Sequence, residues 1–103
     1  MPFSDSPDAL VVASQKPKFK KPRKYKVFLL NDDFTPMDFV VDILMLIFHM
    51  NQEQAFKVMM DTHEKGRGIC GVYFKDIAET KRGQVLQLAR KEGHPLLCDI
   101  EPV

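Results

Sequence analysis

Apolar positions in this chain fall into regular patterns only after about residue 24, and the period then changes from segment to segment. Tyr25, Val27, Phe28, Leu29 and Leu30 are β-forming residues that stop at Asn31-Asp32-Asp33, a tripeptide favouring a turn. Thr35-Pro36-Met37-Asp38 then reads as a helix start. Thr35 serves as the cap, Pro36 takes the first helical position, and Asp38 sits in the first turn. This helix runs to about His49 or Met50. Asn51 with Gln54 three residues later resembles a capping box. It opens a second helix with Ala55, Val58, Met59 and Thr62 on one face, ending near Gly66. Gly68 to Phe74 predicts a second strand. A third helix over 76–92 places Ile77, Ala78, Val85, Leu88 and Ala89 on its apolar side and closes at Gly93; Gly83 inside it costs about 1 kcal/mol relative to Ala. Pro95 to Ile100 forms a short last strand. The order β-α-α-β-α-β predicts an α+β fold of two layers, a three-stranded antiparallel sheet covered by helices on one face.

Residues 1–23 show neither period. They hold four of the seven prolines together with Ser4, Ser6 and Ser14, and are expected to form a flexible arm ahead of a core domain over 24–103. The run Ala9 to Ala13 is too short for the apolar part of a signal peptide, and no basic residue precedes it. No segment approaches the ~20 apolar residues of a membrane helix, so no membrane partner is expected. Charge sharpens the division. The formal net charge of +1 combines a first part, 1–26, with seven basic residues against Asp5 and Asp8 (+5), and a remainder with eight basic and twelve acidic residues (−4). Such asymmetry suggests separate partners for the two parts. With 103 residues and 45% hydrophobic content the chain excludes collagen-like and wholly disordered classes. Two cysteines, Cys70 and Cys98, are too few for a disulfide scaffold and fit a reducing, cytoplasmic setting.

Two features exceed what folding requires. From Met37 to Met50 the only polar side chains are Asp38, Asp42 and His49, so part of the set Met37, Val40, Val41, Leu44, Met45 and Ile47 must face something besides the core. A thick core, a dimer contact or an apolar pocket would each satisfy this, and flexible Met suits a variable guest. At the head of that helix, Asn31-Asp32-Asp33 is explained by turn chemistry alone, yet adjacent carboxylates also suit a small cation or an amine. His63, one position after Thr62, is either a surface histidine or a second anchor for an ammonium group. Enzyme and metal classes find no support. His49, His63 and His94 are dispersed, no CxxC or HxxxH spacing occurs, and GxSxG, P-loop and dinucleotide fingerprints are missing. No metal or cofactor is expected.

The run from Asn31 to Val40, NDDFTPMDFV, closely resembles the NDDYTPMEFV signature of ClpS, the adaptor of the ClpAP protease. The resemblance continues through Met59, His63 and Gly66, through Ile69-Cys70-Gly71-Val72 and Ala78-Glu79-Thr80-Lys81, and through His94-Pro95-Leu96-Leu97-Cys98, in order over residues 24–102. It implies a ClpS-like fold, similar also to the C-terminal domain of the ribosomal stalk protein. It further implies a non-enzymatic adaptor that binds the N-terminal Leu, Phe, Tyr or Trp of N-degron proteins and delivers them to the ClpA unfoldase, or to a related ClpC. On that resemblance Asn31, Asp33 and His63 surround the substrate α-amine, Asp32 adds negative charge, and Thr35 helps bind the first peptide unit. Leu29, Met37, Val40, Met59, Thr62 and Leu96 line the side-chain pocket. Asp76, Glu79 and Lys81 match the docking surface for the N-terminal domain of ClpA, and the arm matches in role only. Thr62 stands where the family commonly has Val, which implies a more polar pocket wall.

A nucleic-acid or ribosome-associated module is the alternative, motivated by the lysines between Lys16 and Lys26 and by the stalk-protein likeness. The −4 core and the lack of an RNA-binding aromatic motif argue against it, so no nucleic-acid partner is expected.

Overall fold

The computed structural model describes residues 22–103. The expected arm, with the Ala9 to Ala13 run and Lys16, Lys18, Lys20 and Lys21, lies outside these residues except for Pro22 and Arg23. Six elements follow in the expected order: β1 (Lys24–Leu30), α1 (Met37–Phe48), α2 (Gln52–Lys65), β2 (Arg67–Phe74), α3 (Lys75–Lys91) and β3 (Leu97–Pro102). The strands lie in the order β2-β1-β3 with both pairings antiparallel, so β1 is central and the helices form a second layer on one face.

Strand alternation sorts β1 between the two faces. Val27 and Leu29 are fully buried against Ile43, Leu44, Ala55 and Met59 of the helices. Phe28 points to the face without helices and is nevertheless buried. There the guanidinium of Arg67 lies 3.7 Å from its ring centre, and Arg67 and Lys26 both pair with Glu101, at 3.0 and 3.5 Å. Between Val27 and Phe28 the register against β2 slips by one residue. The extra residue, Cys70, turns into the core as expected of a β-bulge.

The second helix is built as its sequence predicts. Asn51 Oδ1 accepts from the Gln54 N–H at 2.8 Å, and Gln54 Oε1 accepts from the Asn51 N–H at 3.2 Å. Gly66 closes the helix at φ +90°, a left-handed conformation that disfavours any residue with a Cβ.

The start of α1 differs from expectation. Pro36 is itself the cap residue, and no side chain caps the helix. Thr35 stands one position before the cap, and its hydroxyl donates to Asp32 Oδ2 at 2.8 Å. In α3 the buried stripe is Ala78, Val85 and Ala89. Ile77 opens the neighbouring stripe toward Lys81 and is exposed rather than part of the core.

Candidate functional site

At one end of the sheet four segments converge: the last residue of β1, the loop leading into α1, the last turn of α2, and the connection from α3 to β3. Each is held by backbone-directed bonds. The Asn31 N–H donates to the Gly66 carbonyl at 3.0 Å, which fastens the β1–α1 loop to the end of α2 and brings His63 beside it. Arg90 Nη1 donates to the carbonyls of His94 and Leu96, at 2.8 and 3.0 Å. The Phe39 ring meets His94 edge-on, with centroids 4.5 Å apart. Together these fix the α3–β3 connection so that Leu96 faces inward.

The convergence encloses a cavity of about 180 Å³ lined by Leu30, Asn31, Asp32, Asp33, Thr35, Met37, Val40, Met59, Thr62, His63 and Leu96. Its floor is apolar and buried, built from Val40, Met59, Thr62 and Leu96. Met37, 45% exposed, stands at the mouth. Asn31, Asp33 and His63 are exposed around it. An apolar cavity of about 150 Å³ accommodates benzene, so this one has room for a benzyl or isobutyl group.

Ten of these eleven lining residues were singled out from the sequence. The exception corrects Leu29. Period-two alternation sends Leu29 with Val27 into the helix-facing core at 0% exposure, and Leu30 lines the cavity in its place. Alternation accounts for Leu29 but turns Leu30 to the face of Phe28, so Leu30 borders the cavity only as the last residue of β1, which no sequence signal shows. Arg90 was missed altogether, because a side chain that holds backbone carbonyls leaves no motif.

Thr62 also behaves differently from a polar wall. Its hydroxyl donates to the Val58 carbonyl one turn back, at 2.8 Å, and lies against Gly68 of β2. The hydroxyl thus has its partner within α2, and Thr62 substitutes closely for Val in shape. Gly68 is what makes the packing feasible. A Cβ there would collide with Thr62 Oγ1 and come within 2.7 Å of the Val58 carbonyl oxygen.

The rim divides into a rigid part and a free part. Asp32 Oδ1 accepts from the N–H groups of Phe34 and Thr35 at 2.8 and 2.7 Å, and its Oδ2 accepts from the Thr35 hydroxyl. Burial pushes its carboxyl pKa up, but these three bonds and the nearby His94 outweigh that and hold it below the ordinary carboxylate value. Asp32 and Thr35 therefore form a clasp for the loop, while the side chains of Asn31 and Asp33 remain at the cavity mouth. The carbonyl end of α2 reaches the same mouth and adds partial negative charge. Chemically, the site is an apolar socket with acceptors and two carboxylates set around its entrance, Asp32 within the clasp and Asp33 outside it. Among the described residues no three His, Cys, Asp or Glu side chains gather as metal ligands, and no helix is long and apolar enough to cross a membrane.

A family model described as ATP-dependent Clp protease adaptor protein ClpS matches residues 20–99. The chain belongs to the ClpS family. It is 56% identical over 96 residues to the ATP-dependent Clp protease adapter protein ClpS of Methylococcus capsulatus, covering 93% of this chain and 91% of that relative. To the adapter of the same name from Hydrogenovibrio crunogenus it is 52% identical over 102 residues, covering 99% and 96%. The structure of Agrobacterium tumefaciens ClpS2 bound to L-phenylalaninamide superimposes with a TM-score of 0.79 at 41% identity, over 81% of this chain and 100% of that one.

In this ClpS-family chain the structure does not bring Asp76, Glu79 and Lys81 to the cavity. They lie on the first turns of α3, which starts where Phe74 pairs with Lys24, at the other end of β1 from Asn31. Seven strand residues put the two ends about 20 Å apart. Asp76 and Glu79 are exposed. Lys81 has an internal role. Its Nζ donates to the Ile47 carbonyl at the end of α1, at 2.7 Å, and lies 5.9 and 5.7 Å from the ring centres of Phe48 and Tyr73.

Proposed function

We propose that the cavity captures the N-terminal residue of other proteins, Leu, Phe, Tyr or Trp, by its side chain and free α-amine together. The chain then delivers those proteins to an ATP-driven Clp unfoldase, ClpA or the related ClpC. The observation that carries this reading is the combination of a buried apolar floor and an acceptor-lined mouth in one cavity of benzyl size. A protonated α-amine is a compact cation with three donors, and Asn31, Asp33 and His63 supply acceptors from the two segments that meet there. Hydrogen bonds involving a charged group contribute about 1.5–3 kcal/mol each, and burying a Leu or Phe side chain contributes about as much. An acetylated or internal amide offers too few donors and leaves these acceptors unpaired, which is a strong basis for rejection. The ligand of the Agrobacterium relative supports the reading, since phenylalaninamide is a free-amine Phe whose carboxyl is an amide, as in a peptide. On this reading the protein is an adaptor and not an enzyme. It uses no cofactor, acts in the cytoplasm, and docks on the unfoldase's N-terminal domain through Asp76 and Glu79 with Lys81 beside them, with no nucleic-acid or membrane partner.

Fluorescence anisotropy with otherwise identical peptides tests it. Peptides beginning Phe or Leu bind, while Val-initiated and acetylated ones bind at least tenfold more weakly. Equal binding by all four overturns the reading. Asp33→Ala or His63→Ala lowers affinity by about tenfold with an unchanged circular dichroism spectrum, because both side chains are exposed and outside the core.

A further inference from the structure

Phe34 is 80% exposed, the most exposed large apolar residue among those described. It sits between Asp33 and Thr35, both of which line the cavity, yet does not line it itself. Its backbone is held in a fixed place. The Phe34 N–H donates to Asp32 Oδ1 at 2.8 Å, and Thr35 binds the same carboxylate through both its N–H and its hydroxyl. An aromatic ring in water on a mobile loop needs no explanation. Here the ring stands on a loop clasped at three points, on the rim of a concave site.

We infer that Phe34 is a subsite for the side chain of the second residue of a captured polypeptide, selecting apolar or aromatic groups there. This rests on the reading of the cavity as an N-terminal-residue site. The geometry follows from the alternation of an extended chain. When the first side chain points down into the cavity, the second points the opposite way, out of it. Nothing on the floor reaches a group so directed. An exposed rim side chain is placed to do so, and Phe34 is the most exposed large apolar residue there, on the loop that holds the amine-binding Asn31 and Asp33, with Met37 beside it at the mouth. The next Cα lies 3.8 Å along the chain, within the span of a phenyl ring on the neighbouring loop residue. Because the clasp holds the loop beforehand, little ordering is lost when the ring is covered.

Anisotropy competition with the full chain tests this, using peptides that begin Phe-Leu, Phe-Phe, Phe-Gly and Val-Gly, and an acetylated Phe-Leu control. The intact protein binds Phe-Leu and Phe-Phe about two- to tenfold more tightly than Phe-Gly. In Phe34→Ala that ratio falls to one, while the preference of Phe-Gly over Val-Gly is unchanged. A ratio of one in the intact protein, or a ratio unmoved by Phe34→Ala, overturns the subsite while amine dependence persists. Loss of amine dependence in the intact protein removes the cavity reading beneath it. Phe34→Leu separates ring from mere bulk: it keeps the Leu preference and loses most of the Phe preference.

Discussion

Gly68→Ala is the sharpest test of how α2 is seated. Gly68 pairs with Leu29 and presents its α-carbon to the helix layer. Its added methyl would meet three atoms: Thr62 Oγ1, the Val58 carbonyl oxygen at 2.7 Å, and Val58 Cγ1 at 3.1 Å. Side chains can rotate away from such contacts, but a carbonyl oxygen inside a helix cannot, so α2 must move off β2 as a unit. Overpacking of this kind costs about 1–3 kcal/mol. In a domain of this size each kcal/mol lowers Tm by about 4–8 °C, so the variant melts roughly 5–20 °C below the parent. The same displacement moves Met59, Thr62 and His63, three lining groups carried by α2, so peptide affinity falls along with stability. Urea unfolding and anisotropy on one preparation read both effects. Thr62→Ala in the Gly68→Ala background restores part of the loss and not all, because the Val58 carbonyl remains in the way. A Gly68→Ala protein within 0.5 kcal/mol of the parent and with unchanged affinity would refute the account.

Four further outcomes follow from the geometry. Asp32→Asn removes the carboxylate that clasps the Asn31–Thr35 loop and costs about 1–2 kcal/mol at pH 7. Because the Asp32 carboxyl is held below its usual value of 3.8, its contribution is present in full above that value and is lost as pH falls through the lower folded-state value. Parent and variant therefore converge in urea stability as the pH falls below 3.8. Lys81→Ala takes away the cation on the Ile47 carbonyl and beside two aromatic faces and costs about 1–2 kcal/mol. Glu79→Ala, at an exposed position, leaves the melting temperature unchanged, which suits it to testing the docking proposed above. Burial raises the Cys98 thiol to about 12, with Arg82 opposing and Asp99 adding to the shift, and burial and Cys98 raise Cys70 as well. Ellman's reagent at pH 8 accordingly titrates neither thiol in the native protein and both in urea.

What could be read in advance was whatever depends on neighbours in the chain. The capping box at Asn51, the stop at Gly66 and the apolar period of α2 involve contacts of four residues or fewer, and all three are in the structure. The excess of apolar residues in α1 was equally visible, and its destination resolves into parts. Leu44 and Ile47 enter the core, Met37 and Val40 face the cavity, and Met45 stays on the surface. Where two local rules compete, sequence does not choose. Thr35 and Pro36 both read as helix-start residues, and the cap position falls on Pro36, leaving the Thr35 hydroxyl to Asp32. Thr62 could turn its hydroxyl to the cavity or back along its helix, and the decision rests with Gly68 on another element. Arg90 holds the loop before β3 through carbonyls whose positions only the fold determines.

The placement of β1 bears on how one small domain serves two partners. Its last residue borders the cavity, and its first pairs with Phe74, where α3 begins. The chain preceding Lys24 therefore joins the sheet at the α3 end, about 20 Å from the mouth. On the proposed function, a polypeptide held by Asn31, Asp33 and His63 covers neither Asp76 nor Glu79. On that reading, capture and docking are then independent in binding energy: effects of Asp33→Ala on peptide affinity and of Glu79→Ala on unfoldase affinity add in the double variant. The central strand runs between the two ends, with β2, β3 and α3 alongside it. Its rigidity comes from pairing on both sides and from Val27 and Leu29 buried at its middle. Such a strand passes no local rearrangement from the mouth to α3. Cooperation between the two events would then have to come from the substrate chain itself, presented to the unfoldase at a fixed distance from where the adaptor docks.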